Sequence, residues 1–212
     1  MGMRVVRLAL FGPPGAETVE VAAHVADRLG LPMITIRDAV QSAVRAGSDF
    51  GSKVRRLFDN EEPLPTELIS ALVRGRVEEA DATNGFVYAA EGHTRPMVPL
   101  LDFPQIRMVE LVLTDAEAIR RLSGRRSCSQ CGKSFRAEEA SAAGGACNLC
   151  GGKLFRRDDD APDVVNQQLS RYHESADSVV VYCRAHGRLV SIDASRSAPE
   201  IADELSDKLD TV

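Results

Sequence analysis

The turn Phe11-Gly12-Pro13-Pro14-Gly15-Ala16-Glu17-Thr18-Val19-Glu20 joins an apolar run at residues 5–10 to a helical pattern at residues 19–29. A strand, a glycine-rich turn and a helix in this order are typical of a phosphate-binding loop, in which backbone N–H groups and the helix N-terminus point at phosphate oxygens. The working loop has glycine and lysine at the two positions that Glu17 and Thr18 take here. The sequence therefore predicts the scaffold of a phosphate loop without its cation.

Two acidic residues, Glu17 and Glu20, place negative charge where phosphate would lie. At about 4 Å, one pair of like charges costs about 4 kcal/mol at an effective dielectric constant near 20. The alternative interpretation is that both acids complement the dipole of the helix that follows. Both interpretations are compatible with a loop that no longer binds phosphate.

The composition restricts the class of protein. The 212 residues are 44% hydrophobic, which is enough for one domain with an insertion or for two small domains. A net charge of −5 and the absence of Trp favour neither a nucleic acid nor a membrane surface as a partner. The sequence shows no signal peptide and no apolar run near the about 20 residues of a membrane span, so we expect a cytoplasmic protein.

Strand patterns alternate with helix patterns along most of the chain. Strands are predicted at residues 5–11, 32–35, 85–90, 108–114 and 189–193, and the segment 179–183 fits either a strand or the continuation of a helix. This alternation predicts an α/β fold with a parallel sheet that is covered by helices on both faces. Ligands of such sheets bind at the carboxyl ends of the strands, which here are residues 12–18, 35–38 and 89–94.

Four of the five cysteines form two Cys-x-x-Cys-Gly pairs, Cys128 with Cys131 and Cys147 with Cys150. Two such pairs at this separation are typical of a tetrahedral structural zinc site, in which all four positions are taken by protein ligands. We therefore predict one structural zinc per chain. A redox pair or unliganded thiols are the alternatives.

Several segments, in their order and spacing, carry a resemblance to a known family. They are Leu10–Ala16, Ala43–Ser48, Asn84–Phe86, Gly124–Arg126, the two cysteine pairs, Arg157–Asp160 and Tyr172–Glu174. Over essentially its whole length the chain resembles adenylate kinase of the long bacterial type with a zinc lid. The resemblance implies a P-loop NTPase-like core with a parallel five-stranded sheet at residues 1–124 and 159–212. It also implies a nucleoside-monophosphate-binding segment at 35–78, a zinc lid at 125–158, and the reaction of MgATP with AMP to give two ADP.

Many of the positions that the family uses for chemistry carry other residues here. The glycine and the lysine of the phosphate loop fall on Glu17 and Thr18, and a threonine and an arginine of the AMP segment fall on Ile36 and Gln41. The family's Asp-Gly-Phe-Pro-Arg falls on the five residues from Ala89 to His93. The adenine-contacting glutamine falls on Met97, and an arginine after the lid falls on Gln168.

Other positions of the family's nucleotide site are retained. They form a nucleotide-binding remnant made of Gly12, Gly15, Arg121, Arg125 and Arg157. Asp159 and Asp160 are retained as well, and Arg157 is expected to form surface ion pairs with them.

The leading hypothesis is a catalytically inactive adenylate kinase homologue that acts by binding a protein partner or, weakly, a nucleotide; whether MgATP still binds is left open. The second is a residual or altered nucleoside monophosphate kinase that borrows positive charge from Arg37 or Arg95 to phosphorylate AMP or another acceptor. The third and weakest is a nucleic-acid-binding zinc module. Asp38, Glu91 and His93 are also candidates for a new cation site, and the simpler interpretation is a solvated polar cleft.

Overall fold

A computed structural model of the protein describes residues 5–47, 49–60, 62, 64–90, 100–103, 105–142 and 144–210. The strands are β1 (Val6–Phe11), β2 (Met33–Ile34), β3 (Gly85–Ala90), β4 (Ile106–Val112), β5 (Arg126–Cys128), β6 (Ser134–Phe135), β7 (Leu154–Phe155) and β8 (Leu189–Asp193). The α-helices are α1 (Thr18–Leu29), α2 (Ile36–Arg45), α3 (Asp49–Asp59), α4 (Thr66–Val77), α5 (Asp115–Gly124), α6 (Ala137–Ala142), α7 (Pro162–Ala185) and α8 (Ala198–Asp210). Short 3₁₀ turns lie at Ala80–Ala82 and Asp158–Asp160.

Five strands form one parallel sheet in the order β2-β3-β1-β4-β8. The predicted α/β fold with a parallel sheet of five strands is thereby confirmed. Because β1 is central, the loop that follows it opens at the middle of the carboxyl edge of the sheet, where such folds bind ligands.

The sheet is buried on both faces because alternate residues of each strand point in opposite directions. Leu8 and Leu10 of β1 belong to a core shared with α1, α5 and α8. Ala9 and Phe11 belong to a second core shared with α4 and α7. This explains why the strands are nearly continuous apolar runs.

The structure decides between the two alternatives that the sequence left open for residues 179–183. Residues 179–183, where the pattern allowed a strand, continue α7 to Ala185, because Val179, Val180 and Cys183 fall on the buried stripe of that helix. The helix that begins at Thr66 ends at Val77, and a separate 3₁₀ turn follows.

The segment between α5 and α7 has a small architecture of its own. Its three short strands pair antiparallel in the order β6-β5-β7. Cys128, Phe135, Cys147 and Leu154 form a separate small core there. Among the residues that the structure describes, no helix is long and apolar enough to cross a membrane.

Candidate functional site

The loop between β1 and α1 keeps the backbone path of a glycine-rich phosphate loop. A side chain at Gly12 would place its Cβ 2.8 Å from Ala16 Cβ and 2.9 Å from Leu111 Cβ, so the close approach of β4 requires glycine. Gly15 has a φ of 88°, a conformation that glycine adopts without strain. The scaffold of the loop is therefore built by the two glycines that the sequence analysis singled out.

Glu17 occupies a left-handed conformation immediately before α1, with φ 55° and ψ 39°. A residue with a side chain pays about 1–3 kcal/mol to stay in such a region. At residue 17 the backbone thus has the left-handed conformation that suits glycine, although the residue is glutamate. Thr18 begins the helix and is 8% exposed, so its short side chain is packed into the protein at the position where the family has lysine.

The Glu17 carboxylate turns towards the segment after β6 instead of capping its own helix. Arg136 donates from Nε to Glu17 Oε1 at 3.0 Å and from Nη2 to Glu17 Oε2. Two parallel bonds of this kind are the strongest arrangement of an arginine and a carboxylate. The sequence analysis did not pair Arg136 with Glu17, because nothing in the local pattern links two residues 119 positions apart.

Arg121 lies behind the loop, with a side chain only 14% exposed. Its Nη1 donates to Gly15 O at 3.2 Å, and its Nη2 donates to Ala194 O and to Ser195 O, each at 2.9 Å. Its Nε donates to Glu117 Oε1 at 2.8 Å. The guanidinium group therefore ties the loop to α5 and to the segment after β8. Nucleotide contact by Arg121 stays a prediction.

Glu117 holds two arginines of α5 at once. Arg120 donates to its two carboxylate oxygens from Nε and Nη2, each at 2.8 Å, in addition to the bond from Arg121. The Arg120 and Arg121 guanidinium groups lower the pKa of Glu117 from 4.5 to about 2. The carboxylate is consequently ionised throughout the physiological range.

The two remaining arginines of the predicted remnant pair with consecutive aspartates after the lid. Arg125 donates to Asp160 from Nε at 3.1 Å and from Nη2 at 2.5 Å, and the Asp160 side chain is fully buried. Arg157 forms two bonds with Asp159, at 2.9 Å and 2.7 Å, in an exposed position. Both pairs lie at the root of the lid, where the chain enters and leaves it.

The other positions predicted from the resemblance are less informative. Gln41 is exposed on α2, and Gln168 Nε2 donates to Asp159 O at 3.5 Å. Ala89 is buried in β3. The remaining candidates of that loop lie outside the described residues; they are Glu91, His93, Arg95 and Met97.

Asp38, the described member of the predicted cation site, is already bonded within its own helix end. Its Oδ2 accepts from the Thr35 backbone N–H at 2.9 Å and from Thr35 Oγ1 at 2.5 Å, while Thr35 Oγ1 accepts from the Asp38 N–H. This reciprocal arrangement is a capping box that starts α2. The carboxylate thus has a structural use that needs no cation.

The four paired cysteines converge on one point. Their sulfur atoms all lie within 4.8 Å of one another, with Cys128 Sγ 3.5 Å from Cys150 Sγ and Cys131 Sγ 3.6 Å from Cys147 Sγ. A zinc ion with four Zn–S bonds of about 2.3 Å requires sulfur atoms about 3.8 Å apart. The donor set therefore fits a tetrahedral metal.

The two cysteine pairs have the same local geometry. In the first, Gln130 N–H points to Cys128 Sγ at 3.4 Å, and Gly132 has a φ of 72°. In the second, Leu149 N–H points to Cys147 Sγ at 3.4 Å, and the corresponding glycine has a φ of 73°. Backbone N–H groups aimed at sulfur stabilise the thiolate form that binds metal.

Comparison with known proteins identifies the family. Residues 125–159 match the family model described as adenylate kinase, active site lid. The chain is 37% identical over 212 residues to an adenylate kinase of Salinispora tropica, covering 96% of this chain and 98% of that protein. It is 33% identical to one of Acidothermus cellulolyticus, covering 92% and 94%, and 30% identical to one of Methanosarcina barkeri, covering 94% and 96%. This chain belongs to the adenylate kinase family.

The segment that matches the adenylate kinase lid contains the four clustered cysteines and Arg136. The nucleoside monophosphate kinase family that the sequence suggested is therefore shown, and the lid contains four cysteines whose arrangement fits a metal ion. The division of the chain at residues 35–78 and 125–158 stays a prediction. The contacts that sequence reasoning missed are those between distant segments, above all Glu17 with Arg136 and Arg125 with Asp160.

Proposed function

We propose that this adenylate kinase homologue does not transfer phosphate and acts by binding, to a protein partner or weakly to a nucleotide. The observation that carries the proposal is the Glu17 carboxylate at the N-terminus of α1, within the phosphate loop. That position should present backbone N–H groups and a lysine to phosphate. Here it presents a negative charge that is already bound to Arg136.

The size of the expected defect follows from the chemistry of phosphoryl transfer, which depends mostly on positioning and on neutralisation of charge. Loss of a single arginine that stabilises the transition state lowers the rate by about 10³- to 10⁵-fold. In this chain the loop position of the lysine is the buried Thr18, and two family arginines are Gln41 and Gln168. The individual effects need not add, but each lowers the rate.

The retained arginines support weak rather than tight nucleotide binding. Arg121 donates to three backbone carbonyls and to Glu117, and Arg125 donates to the buried Asp160. A nucleotide phosphate would have to replace these acceptors. Freeing Arg125 would leave a buried carboxylate without its partner, which is costly.

The direct test is the formation of ADP from MgATP and AMP by the zinc-loaded protein. The Salinispora tropica relative, assayed in parallel, serves as the positive control. We expect turnover at least about 10³-fold below that of the control, the lower bound for the loss of one essential cation. Turnover within tenfold of the control would refute the proposal.

Binding is measured separately by titration calorimetry with MgATP and with AMP. Millimolar or weaker affinity would direct the search towards protein partners, whereas micromolar affinity without turnover would favour the nucleotide-binding form of the proposal. The double variant Glu17→Gly/Thr18→Lys should bind MgATP more tightly than the wild type, because it removes an anion and restores a cation. Equal affinity of the two proteins would contradict the role assigned to Glu17.

The altered-kinase hypothesis makes a different prediction for the same assay. It requires positive charge from Arg37, which is exposed at the start of α2, or from Arg95, which lies outside the described residues. ADP formation that disappears in Arg37→Ala or Arg95→Ala would support that hypothesis against ours.

A further inference from the structure

The Glu17–Arg136 pair, here called the lid–loop ion pair, joins the lid to the loop between β1 and α1. Arg136 follows β6 and precedes α6, and its neighbour Phe135 is 3% exposed within the cysteine-containing core of the lid. Glu17 is fixed at the start of α1. Both ends of the pair therefore lie directly beside regular structure, Glu17 before α1 and Arg136 between β6 and α6.

Two contacts next to the ion pair hold α6, the helix that follows Arg136, against the core. A Cβ at Gly124, the last residue of α5, would lie 2.7 Å from Ala137 Cβ, so the start of α6 packs directly on α5. Arg120 Nη1 lies 3.5 Å from Glu138 Oε1. Three consecutive lid residues thus contact the core, and the lid–loop ion pair is the strongest of these contacts.

We propose that the lid–loop ion pair holds the lid closed on the phosphate loop through charges that both belong to the chain, so that closure does not require a nucleotide. The Glu17 carboxylate makes no hydrogen bond to the N-terminus of α1, where an anion would bind, and bonds the lid arginine instead. A phosphate-bearing ligand in the loop would meet the charge of this carboxylate and compete with it for Arg136. The proposal concerns the position of the lid and holds whether or not the chain transfers phosphate.

Hydrogen–deuterium exchange on the zinc-loaded, full-length protein tests the proposal. Glu17→Gln and Arg136→Gln each remove one charge and keep most of the side chain. Exposed or half-exposed ion pairs contribute up to about 1 kcal/mol, so each variant should raise exchange near residues 17–20 and 135–139 about fivefold. The double variant should exchange no faster than either single variant, because both remove the same interaction.

The control is Arg28→Gln, which removes an ion pair of similar type between α1 and α8, with Nη1 2.5 Å from Asp203 Oδ1 and no lid residue involved. It should leave exchange in both lid–loop segments unchanged. Exchange in β1 and β4 reports whether each variant keeps its fold. Unchanged exchange in both single variants, or effects that add in the double variant, would overturn the proposal.

A second measurement needs no substitution. Raising the salt concentration from 0.1 M to 1 M shortens the screening length from about 10 Å to about 3 Å and weakens a partly exposed ion pair. We expect the wild type in 1 M NaCl to exchange like Glu17→Gln, and Glu17→Gln to respond little to salt. A wild type whose lid and loop do not respond to salt would also overturn the proposal.

Discussion

Replacement of Arg125 by methionine tests what holds the root of the lid. Arg125 directly follows α5, and Asp160 ends the 3₁₀ turn before α7, so their pair joins the two points where the chain enters and leaves the lid. Asp160 is fully buried and Arg125 is 33% exposed. Removing one partner of a buried pair costs about 3–5 kcal/mol because a charge is left uncompensated, and access of water on the Arg125 side reduces this to about 2–4 kcal/mol.

The assay is urea unfolding of the zinc-loaded protein, followed by circular dichroism. Arg157→Met is the matched control, since the Arg157–Asp159 pair lies beside the first but is 49% and 40% exposed, and its loss should cost at most about 1 kcal/mol. Adding Asp160→Asn to Arg125→Met should recover at least about 1 kcal/mol, because the unpaired buried charge is removed. Equal destabilisation by Arg125→Met and Arg157→Met would refute the reasoning.

Three further predictions concern the metal, the loop and acid stability. Metal analysis of untagged protein should find one zinc per chain, and Cys147→Ser should abolish it; protein without zinc would contradict the site. Gly12→Ala should lower the free energy of unfolding by about 1–3 kcal/mol, because its Cβ meets Leu111 Cβ at 2.9 Å, whereas Gly75→Ala in α4, with open space around its Cβ, should be neutral or stabilising; equal effects in urea unfolding would refute this. The folded-state pKa of Glu117 is lowered from 4.5 to about 2, so its contribution to stability is present above pH 4.5 and is lost as the pH falls towards 2. Unfolding at pH 5 and pH 3 should show that Glu117→Gln loses less stability than the wild type; equal losses would contradict the assignment.

Much of the fold could be predicted because its signals are local. The apolar run before Gly12 and the helical period after Thr18 each lie within one element, and the alternation of such elements is enough to specify a parallel sheet. The ambiguity at residues 179–183 has the same origin: a run of β-branched residues has strand propensity, and only the packing of α7 on the second core shows that the segment is helical.

The sequence predicted the candidate site only where the spacing of residues along the chain brings the ligand atoms together. The cysteine pairs converge because each Cys-x-x-Cys turn brings two sulfur atoms together. The Arg157–Asp159 ion pair was predicted, but the partners of Arg121 and Arg125 were not. The resemblance makes Arg121 and Arg125 candidate nucleotide ligands, yet their partners in the structure lie up to 106 positions away along the chain.

The sequence by itself determined the sheet, the glycine-shaped loop and the cysteine cluster, because each depends on residue type and short-range spacing. It also determined that Glu17 and Thr18 replace the residues that normally bind phosphate. Only the tertiary structure shows which residue the Glu17 carboxylate binds. The contact with Arg136 exists because the docking of α6 on α5 brings the lid over the loop, and such an approach between distant segments leaves no periodic signal in the chain.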